Sequence, residues 1–113
     1  GRPQMMKELL SAAEALTQEE YQRAAAKFGP KNNSPHESFA VLLEEVSEMK
    51  VEQGIIEKQM AEFWSAVMSN SDEDQASALQ EIKKRAILSA CESIQVAAMA
   101  HKALMGYDKK EEQ

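Results

Sequence analysis

The sequence predicts an all-α fold: a long-helix bundle with two long helices and a shorter N-terminal helical segment. Apolar residues recur at helical spacing over long stretches, and no stretch shows convincing strand alternation. The 4 glycines and 3 prolines concentrate near the expected helix ends. We therefore expect one helical domain over residues 1–113, with residues 1–3 and 107–113 frayed.

The first helical segment is expected from about Gln4 to Phe28. Its apolar residues follow helical spacing: Met6, Leu9, Leu10, Ala13 and Leu16. Thr17 and Glu20 have the spacing of a capping box, so the segment is either one helix or two helices with a bend between them. Gly29-Pro30 is expected to end it, because glycine permits a left-handed cap and proline cannot continue the hydrogen-bond ladder.

The second helix is expected to begin at Ser34-Pro35. Ser34 is a good N-cap residue, Pro35 suits the first helical position, and Glu37 has the spacing that completes a capping box. An apolar stripe then follows in steps of four and three, interrupted only by Gln53: Leu42, Val46, Met49, Ile56, Met60, Phe63 and Val67. A heptad-like stripe of this length needs a partner helix.

The third helix is expected to run from about Asp72 to Met105. Ser71 with Asp74 forms a cap signature before it, and Gly106 is the expected stop. Its second half is rich in small residues, including Cys91, which we expect to be buried; small side chains let a partner helix approach closely. One copy is too small to cover all the apolar stripes, so we expect a homodimer or homotetramer that completes a larger bundle.

Composition and charge disfavour several classes of function. The net charge is −6, and an acidic chain without a basic patch is poorly suited to nucleic-acid polymers, which require clustered Lys and Arg on phosphates. No apolar run approaches the roughly 20 residues of a membrane span, so no membrane partner is expected. A single cysteine allows no internal disulfide, which agrees with the cytoplasmic location that we expect.

The acidic residues of the second helix form the most informative pattern. Glu45 and Glu48 are three residues apart and Glu44 and Glu48 are four apart, so their side chains are neighbours on the helix. Leu42 and Met49 flank Glu45 on the apolar stripe, which predicts that these acids lie on a buried face. Like charges placed together beside apolar residues cost stability unless a cation or a proton compensates.

A second acid follows on the third helix, where Glu92 lies three residues before Gln95. If the two long helices pack as an antiparallel hairpin, this pair meets Glu45 and Glu48 and forms a cluster of oxygen ligands. Such ligands are the ones that Mg²⁺ and Mn²⁺ prefer. A solvated acidic face is the alternative interpretation, since glutamate is a good helix former, and the pattern alone leaves both open.

The run Glu44-Glu45-Val46-Ser47-Glu48 resembles the Glu-Glu-x-x-Glu motif of the MazG-like, all-α nucleoside triphosphate pyrophosphohydrolases. In that superfamily a Glu-x-x-Asp motif follows on a later helix, and Glu92-Ser93-Ile94-Gln95 occupies the corresponding place here. The wider string from His36 through Glu48 and the segment from Gln95 to Ala100 resemble small phage-type and bacterial members. The resemblance covers most of the chain, from about Gly29 to Leu104.

The resemblance implies a hydrolase that cleaves a nucleoside triphosphate, (d)NTP, to the monophosphate and pyrophosphate with Mg²⁺, or alternatively Mn²⁺, as cofactor. By transfer, Glu45, Glu48, Glu92 and Gln95 are metal ligands. The catalytic acids are Glu44, Glu45 and Glu48, with Glu44 as an auxiliary acid or water-positioning group. Gln95 stands where the family usually has Asp. Because an amide oxygen coordinates without adding charge, the site is expected to hold metal more weakly, or to hold fewer ions.

Four further residues are candidate contacts to the nucleotide, each with a plainer alternative. Lys31 and Asn33 can meet phosphate or base but have the composition of a turn. His36 can contact a nucleotide but fits an exposed first helical turn. Lys102 can reach phosphate if it faces the acidic cluster, whereas a solvated lysine near a helix C-terminus is the alternative.

Two other functions stay open at the level of sequence. The first is a non-catalytic MazG-like module that binds nucleotide or oligomerises and has a degenerate metal site. Gln95, in place of the usual aspartate, suggests this alternative. The second is a coiled-coil-like scaffold, which the heptad-like apolar stripe of the second helix suggests.

Overall fold

The computed structural model describes residues 1–107, which form three α-helices joined by short turns. Helix α1 spans Arg2–Phe28, α2 spans Pro35–Met68 and α3 spans Asp72–Met105. No strand occurs within these 107 residues. The predicted all-α class is confirmed, and α3 has the predicted bounds. Residues 108–113, which fall in the predicted frayed tail, lie outside the described residues.

Helix α1 begins at Arg2, two residues earlier than the predicted Gln4, with a proline in its first turn. Such a proline costs no helical hydrogen bond, because the first N–H groups of a helix have no partner inside it. The capping box predicted at Thr17 is wrong. Thr17 Oγ1 instead donates to the carbonyl of Ala13 at 2.7 Å, one turn back, and α1 is one continuous helix.

The end of α1 is fixed by Gly29 and by Tyr21. Gly29 has φ +93°, a backbone conformation that glycine adopts at little cost, and its N–H donates to the carbonyl of Ala25 at 2.9 Å. The hydroxyl of the buried Tyr21 donates to the carbonyl of Pro30 at 2.9 Å. The Tyr21 ring packs edge-on against His101 of α3, with ring centroids 4.5 Å apart. Tyr21 therefore connects α1, the turn after it and α3.

Both long helices begin with the predicted serine caps. The backbone N–H of Glu37 donates to Ser34 Oγ at 3.2 Å, and the N–H of Asp74 donates to Ser71 Oγ at 3.2 Å. In a capping box, the Glu37 carboxylate would accept a hydrogen bond from the backbone N–H of the cap residue, Ser34. It accepts instead from the N–H of the preceding residue, Asn33, at 3.2 Å.

The chain divides into two compact units. Among the described residues, unit 1 comprises 1–45 together with 94–107, and unit 2 comprises 46–93. In unit 1, α1, the first part of α2 and the last part of α3 pack together. Ala98 is fully buried there, as expected for the small-residue face of α3. Lys102 on the same helix is buried as well.

Unit 2 is an antiparallel hairpin formed by the second part of α2 and the first part of α3. Near the turn, the N–H of Ser71 donates to the carbonyl of Ala66 at 3.0 Å. Further from the turn, Ser93 Oγ donates to Met49 Sδ at 3.2 Å. Ala66 and Ala78 are its buried residues, whereas Cys91 is exposed and our prediction of a buried cysteine is wrong.

Many large apolar side chains stay exposed in the single chain. Five of them, from residue 5 to residue 16 of α1, are exposed by 48% to 63% and lie at helical spacing: Met5, Met6, Leu9, Leu10 and Leu16. Met60 of the α2 stripe and Trp64 beside the stripe are also exposed. The apolar stripes are thus only partly covered. Within residues 1–107, no helix contains an apolar stretch long enough to cross a membrane.

Candidate functional site

The hairpin of unit 2 brings acids of α2 and α3 together. Glu48 and Glu52 lie one turn apart on α2, and Glu92 on α3 faces them. Burial raises the pKa of Glu92, and the nearby carboxyl groups of Glu48 and Glu52 raise it further.

Glu45 lies three residues before Glu48 on the same face of α2. Each of Glu45, Glu48 and Glu92 has a carboxylate oxygen in one cluster, and these three oxygens lie within 4.8 Å of one another. This is the arrangement that the paired motifs predict. Glu45 and Glu92 are half-buried, but Glu44 and Glu48 are exposed, so our prediction of a buried face is wrong for these two. Both carboxylates lie on the part of the α2 surface that the neighbouring helices leave uncovered.

Gln95, the fourth predicted ligand, is engaged with α1. Its Nε2 donates to Glu20 Oε2 at 2.8 Å, and Glu20 is also paired with Arg23. An Asp at position 95 would instead place a second carboxylate beside Glu20. The glutamine at position 95 therefore suits its surroundings, because its amide has a carboxylate as its partner. Sequence reasoning missed Glu20 because residues 20 and 95 are 75 positions apart.

An arginine next to the acids was also missed. Arg85 Nη1 contacts Glu52 Oε2 at 3.2 Å, and Arg85 Nε donates to Glu81 Oε1 at 2.8 Å. The hydrogen bond from Arg85 is the main reason that the pKa of Glu81 lies below its usual value. The spacing of Glu81 and Arg85, four residues apart on a helix, was a signal that could have found this pair. Arg85 compensates the charge of Glu52, but it forms no ion pair with Glu92 among residues 1–107.

Unit 1 contains a cavity of about 640 Å³ lined by parts of all three helices. The predicted site residues Glu44, Glu45, Gln95 and Lys102 line it. Lys102 is only 6% exposed, and the alternative of a solvated lysine is therefore wrong. Its Nζ lies 5.9 Å from the centre of the Phe28 ring.

The other predicted nucleotide contacts lie elsewhere. Lys31 and Asn33 are exposed and line a second cavity of unit 1, of about 410 Å³, together with Tyr107. His36 is exposed in the first turn of α2. Asn32 lines both cavities and donates from Nδ2 to Ser38 Oγ at 2.9 Å. Of the four predicted contacts, Lys102 is the one that shares a cavity with the acids of the motif.

No protein-family model, curated protein or solved structure matches this chain. The resemblance to MazG-like enzymes thus rests on the motifs in the sequence.

Proposed function

We propose that the protein is a Mg²⁺-dependent nucleoside triphosphate pyrophosphohydrolase, which converts a (d)NTP and water to a (d)NMP and pyrophosphate. The observation that carries the proposal is the approach of Glu48 and Glu92, whose carboxylate oxygens come from different helices and lie within 4.8 Å of each other. Such a pair is stable only with a proton or a cation between its members. Glu45 adds a third carboxylate oxygen within 4.8 Å.

The donor set fits a hard divalent cation. Mg²⁺ is commonly held by a few carboxylates and completes its shell with water and substrate phosphate oxygens. Glu45, Glu48 and Glu92 would hold the ion, which neutralises phosphate charge and makes bound water more acidic. Glu44, exposed and adjacent to Glu45, would orient the attacking water.

We propose that the working form is a homo-oligomer. The support is the row of exposed apolar residues on α1, from Met5 to Leu16, together with the exposed Met60 and Trp64 on α2. A second copy that covers these side chains would remove large apolar surface from water, which stabilises the association at about 25 cal/mol for each Å². Exposed apolar areas of this extent commonly mark interaction surfaces.

The test of the activity is incubation with a panel of NTPs and dNTPs plus Mg²⁺, with chromatography to identify the products. We expect pyrophosphate and monophosphate in equal amounts, and a loss of at least about a hundredfold in Glu48→Gln. The matched control is Glu57→Gln, which changes an exposed glutamate of the same helix. Release of inorganic phosphate, or equal rates for Glu48→Gln and the wild type, contradicts the proposal.

A second candidate function is a nucleotide-binding module without turnover. It is favoured by the hydrogen bond between Gln95 and Glu20, which engages the amide that replaces the usual acidic ligand. Calorimetry with Mg²⁺ and nucleotides separates the two candidates. Binding without product formation supports the module, and multiple turnovers by the wild type rule it out.

A further inference from the structure

Arg85 joins one carboxylate from each helix of the unit 2 hairpin. Its Nη1 donates to both carboxylate oxygens of Glu52 on α2, at 3.4 and 3.2 Å. Its Nε donates to Glu81 on α3 at 2.8 Å. The side chains of Arg85 and Glu52 are only 26% and 16% exposed. A guanidinium group is planar and has several donors, so one arginine can hold both carboxylates in fixed positions.

Glu52 has the position of a metal ligand but a different partner. It lies one helical turn after Glu48, so the two side chains are neighbours on α2. The cluster of carboxylate oxygens nevertheless consists of those of Glu45, Glu48 and Glu92, and among residues 1–107 Glu52 is not a member. The pairing with Arg85 explains this difference, because both Glu52 oxygens are engaged by the guanidinium group.

The order of residues along the hairpin gives the direction in which Arg85 draws the Glu52 carboxylate. Arg85 lies about two helical turns before Glu92 on α3, and therefore nearer to the turn between the helices. Glu52 is likewise nearer to that turn than Glu48 is. The bond with Arg85 thus draws the Glu52 carboxylate toward the turn and away from the end of the hairpin where Glu48 and Glu92 meet.

We propose that Arg85 is a positioning residue that withholds Glu52 from the metal site, so that the site has one carboxylate ligand fewer than the hairpin can supply. The inference rests on the proposed function for the existence of the metal site, but it requires metal binding only and no turnover. A position that no carboxylate fills stays open to water or to a phosphate oxygen. Because cation affinity rises with the number of charged ligands, the loss of Arg85 strengthens metal binding while it weakens the fold.

The experiment is isothermal titration calorimetry of the full chain with Mg²⁺ in the absence of nucleotide. We expect Arg85→Met to bind Mg²⁺ about tenfold more tightly than the wild type does. The loss of a positive charge strengthens cation binding by itself, so two double variants with the net charge of the wild type serve as controls. Arg85→Met/Glu52→Gln lacks the freed carboxylate, and we expect it to bind within about twofold of the wild type. Arg85→Met/Glu81→Gln leaves Glu52 free, and we expect it to keep the higher affinity.

The two double variants separate the proposed role of Arg85 from a purely structural one. Each lacks Arg85 and one of its two partners, so both have lost the connection between the helices. Equal Mg²⁺ affinities of the two double variants overturn the inference, as does an Arg85→Met variant that binds Mg²⁺ no more tightly than the wild type. In melting curves, we expect Arg85→Met to be less stable than the wild type in EDTA and to gain more from Mg²⁺. Should that variant not fold, Arg85→Gln replaces it in every protein of the series.

The failure of this inference is distinguishable from the failure of the proposed activity. A protein that hydrolyses no nucleotide, but whose two double variants differ in Mg²⁺ affinity as expected, contradicts the activity and supports the inference. A protein that turns over nucleotide with Mg²⁺, and whose two double variants bind Mg²⁺ equally, supports the activity and contradicts the inference.

Discussion

Carboxylate oxygens of Glu48 on α2 and Glu92 on α3 lie within 4.8 Å of each other across the hairpin of unit 2. Burial and the charge of Glu48 raise the pKa of Glu92, so the folded chain binds a proton there more tightly than the unfolded chain does. A divalent cation can take the place of that proton. The pair thus links the stability of the fold to pH and to metal ions.

The first prediction concerns pH without metal. Because the pKa of Glu92 is higher in the folded state, the folded state binds more protons in the window just above the ordinary glutamate pKa. The contribution of Glu92 to stability is therefore present below that window and is lost as the pH rises through the raised pKa. Melting curves in EDTA from about pH 4 to about pH 8 measure this.

The matched variant for this measurement is Glu92→Gln, which cannot ionise. We expect it to have a smaller pH dependence than the wild type and a higher melting temperature at neutral pH. A variant that melts below the wild type at neutral pH, with an unchanged pH dependence, would show that the Glu92 charge is not the cause.

The second prediction concerns metal ions. At a free Mg²⁺ concentration about a hundredfold above its dissociation constant, binding to the folded state alone adds about 2.7 kcal/mol to the free energy of unfolding. We expect a rise in melting temperature that is lost in Glu48→Gln and kept in Glu57→Gln. A pure coiled-coil scaffold predicts no such rise, and equal melting with Mg²⁺ and with EDTA would favour it.

The third prediction concerns Gln95. Gln95→Asp replaces the amide that donates to Glu20 by a second carboxylate, which we expect to lower the free energy of unfolding by about 1–2 kcal/mol in EDTA. The same change adds a carboxylate three residues after Glu92, so Mg²⁺ affinity should rise if the proposed metal site is correct. Calorimetry and urea denaturation measure the two effects.

The control for Gln95→Asp is the double variant Glu20→Gln/Gln95→Asp, in which the amide and the carboxylate exchange places. We expect the double variant to regain most of the lost stability. If it is less stable than Gln95→Asp alone, the hydrogen bond between the two residues is not what makes aspartate costly at position 95.

The fourth prediction concerns the exposed apolar face of α1. Leu9 is 63% exposed, so Leu9→Glu is expected to leave the fold of a single chain intact and to disrupt association with a second copy. Sedimentation velocity should show an oligomer for the wild type and a smaller species for the variant. Gln18→Glu adds the same charge at an exposed polar position of α1 and should sediment as the wild type does.

Local features of the sequence predicted the fold well. The caps at Ser34 and Ser71 and the bounds of α3 follow from the nearest few residues, so they were accessible to pattern reasoning. The capping box predicted at Thr17 was wrong, because a threonine hydroxyl can also donate to a carbonyl of the preceding helical turn, here that of Ala13.

The candidate site was only partly predictable. The spacing of Glu45 and Glu48 and an assumed hairpin sufficed to bring these acids near Glu92. The burial of Lys102 depends on how α1 packs against α3, which no local pattern contains. The partner of Gln95 likewise depends on a contact across 75 positions.

The geometry of the hairpin has a kinetic consequence. At the turn, Gln75 meets Ala66 across a separation of nine residues, whereas Ser93 meets Met49 across 44. Closing the shorter loop costs less entropy, and the acids at the far end repel one another as they approach. The turn is therefore the natural place for pairing to start, and the acidic end closes last. A metal ion that binds there would slow the opening of the hairpin without accelerating its formation.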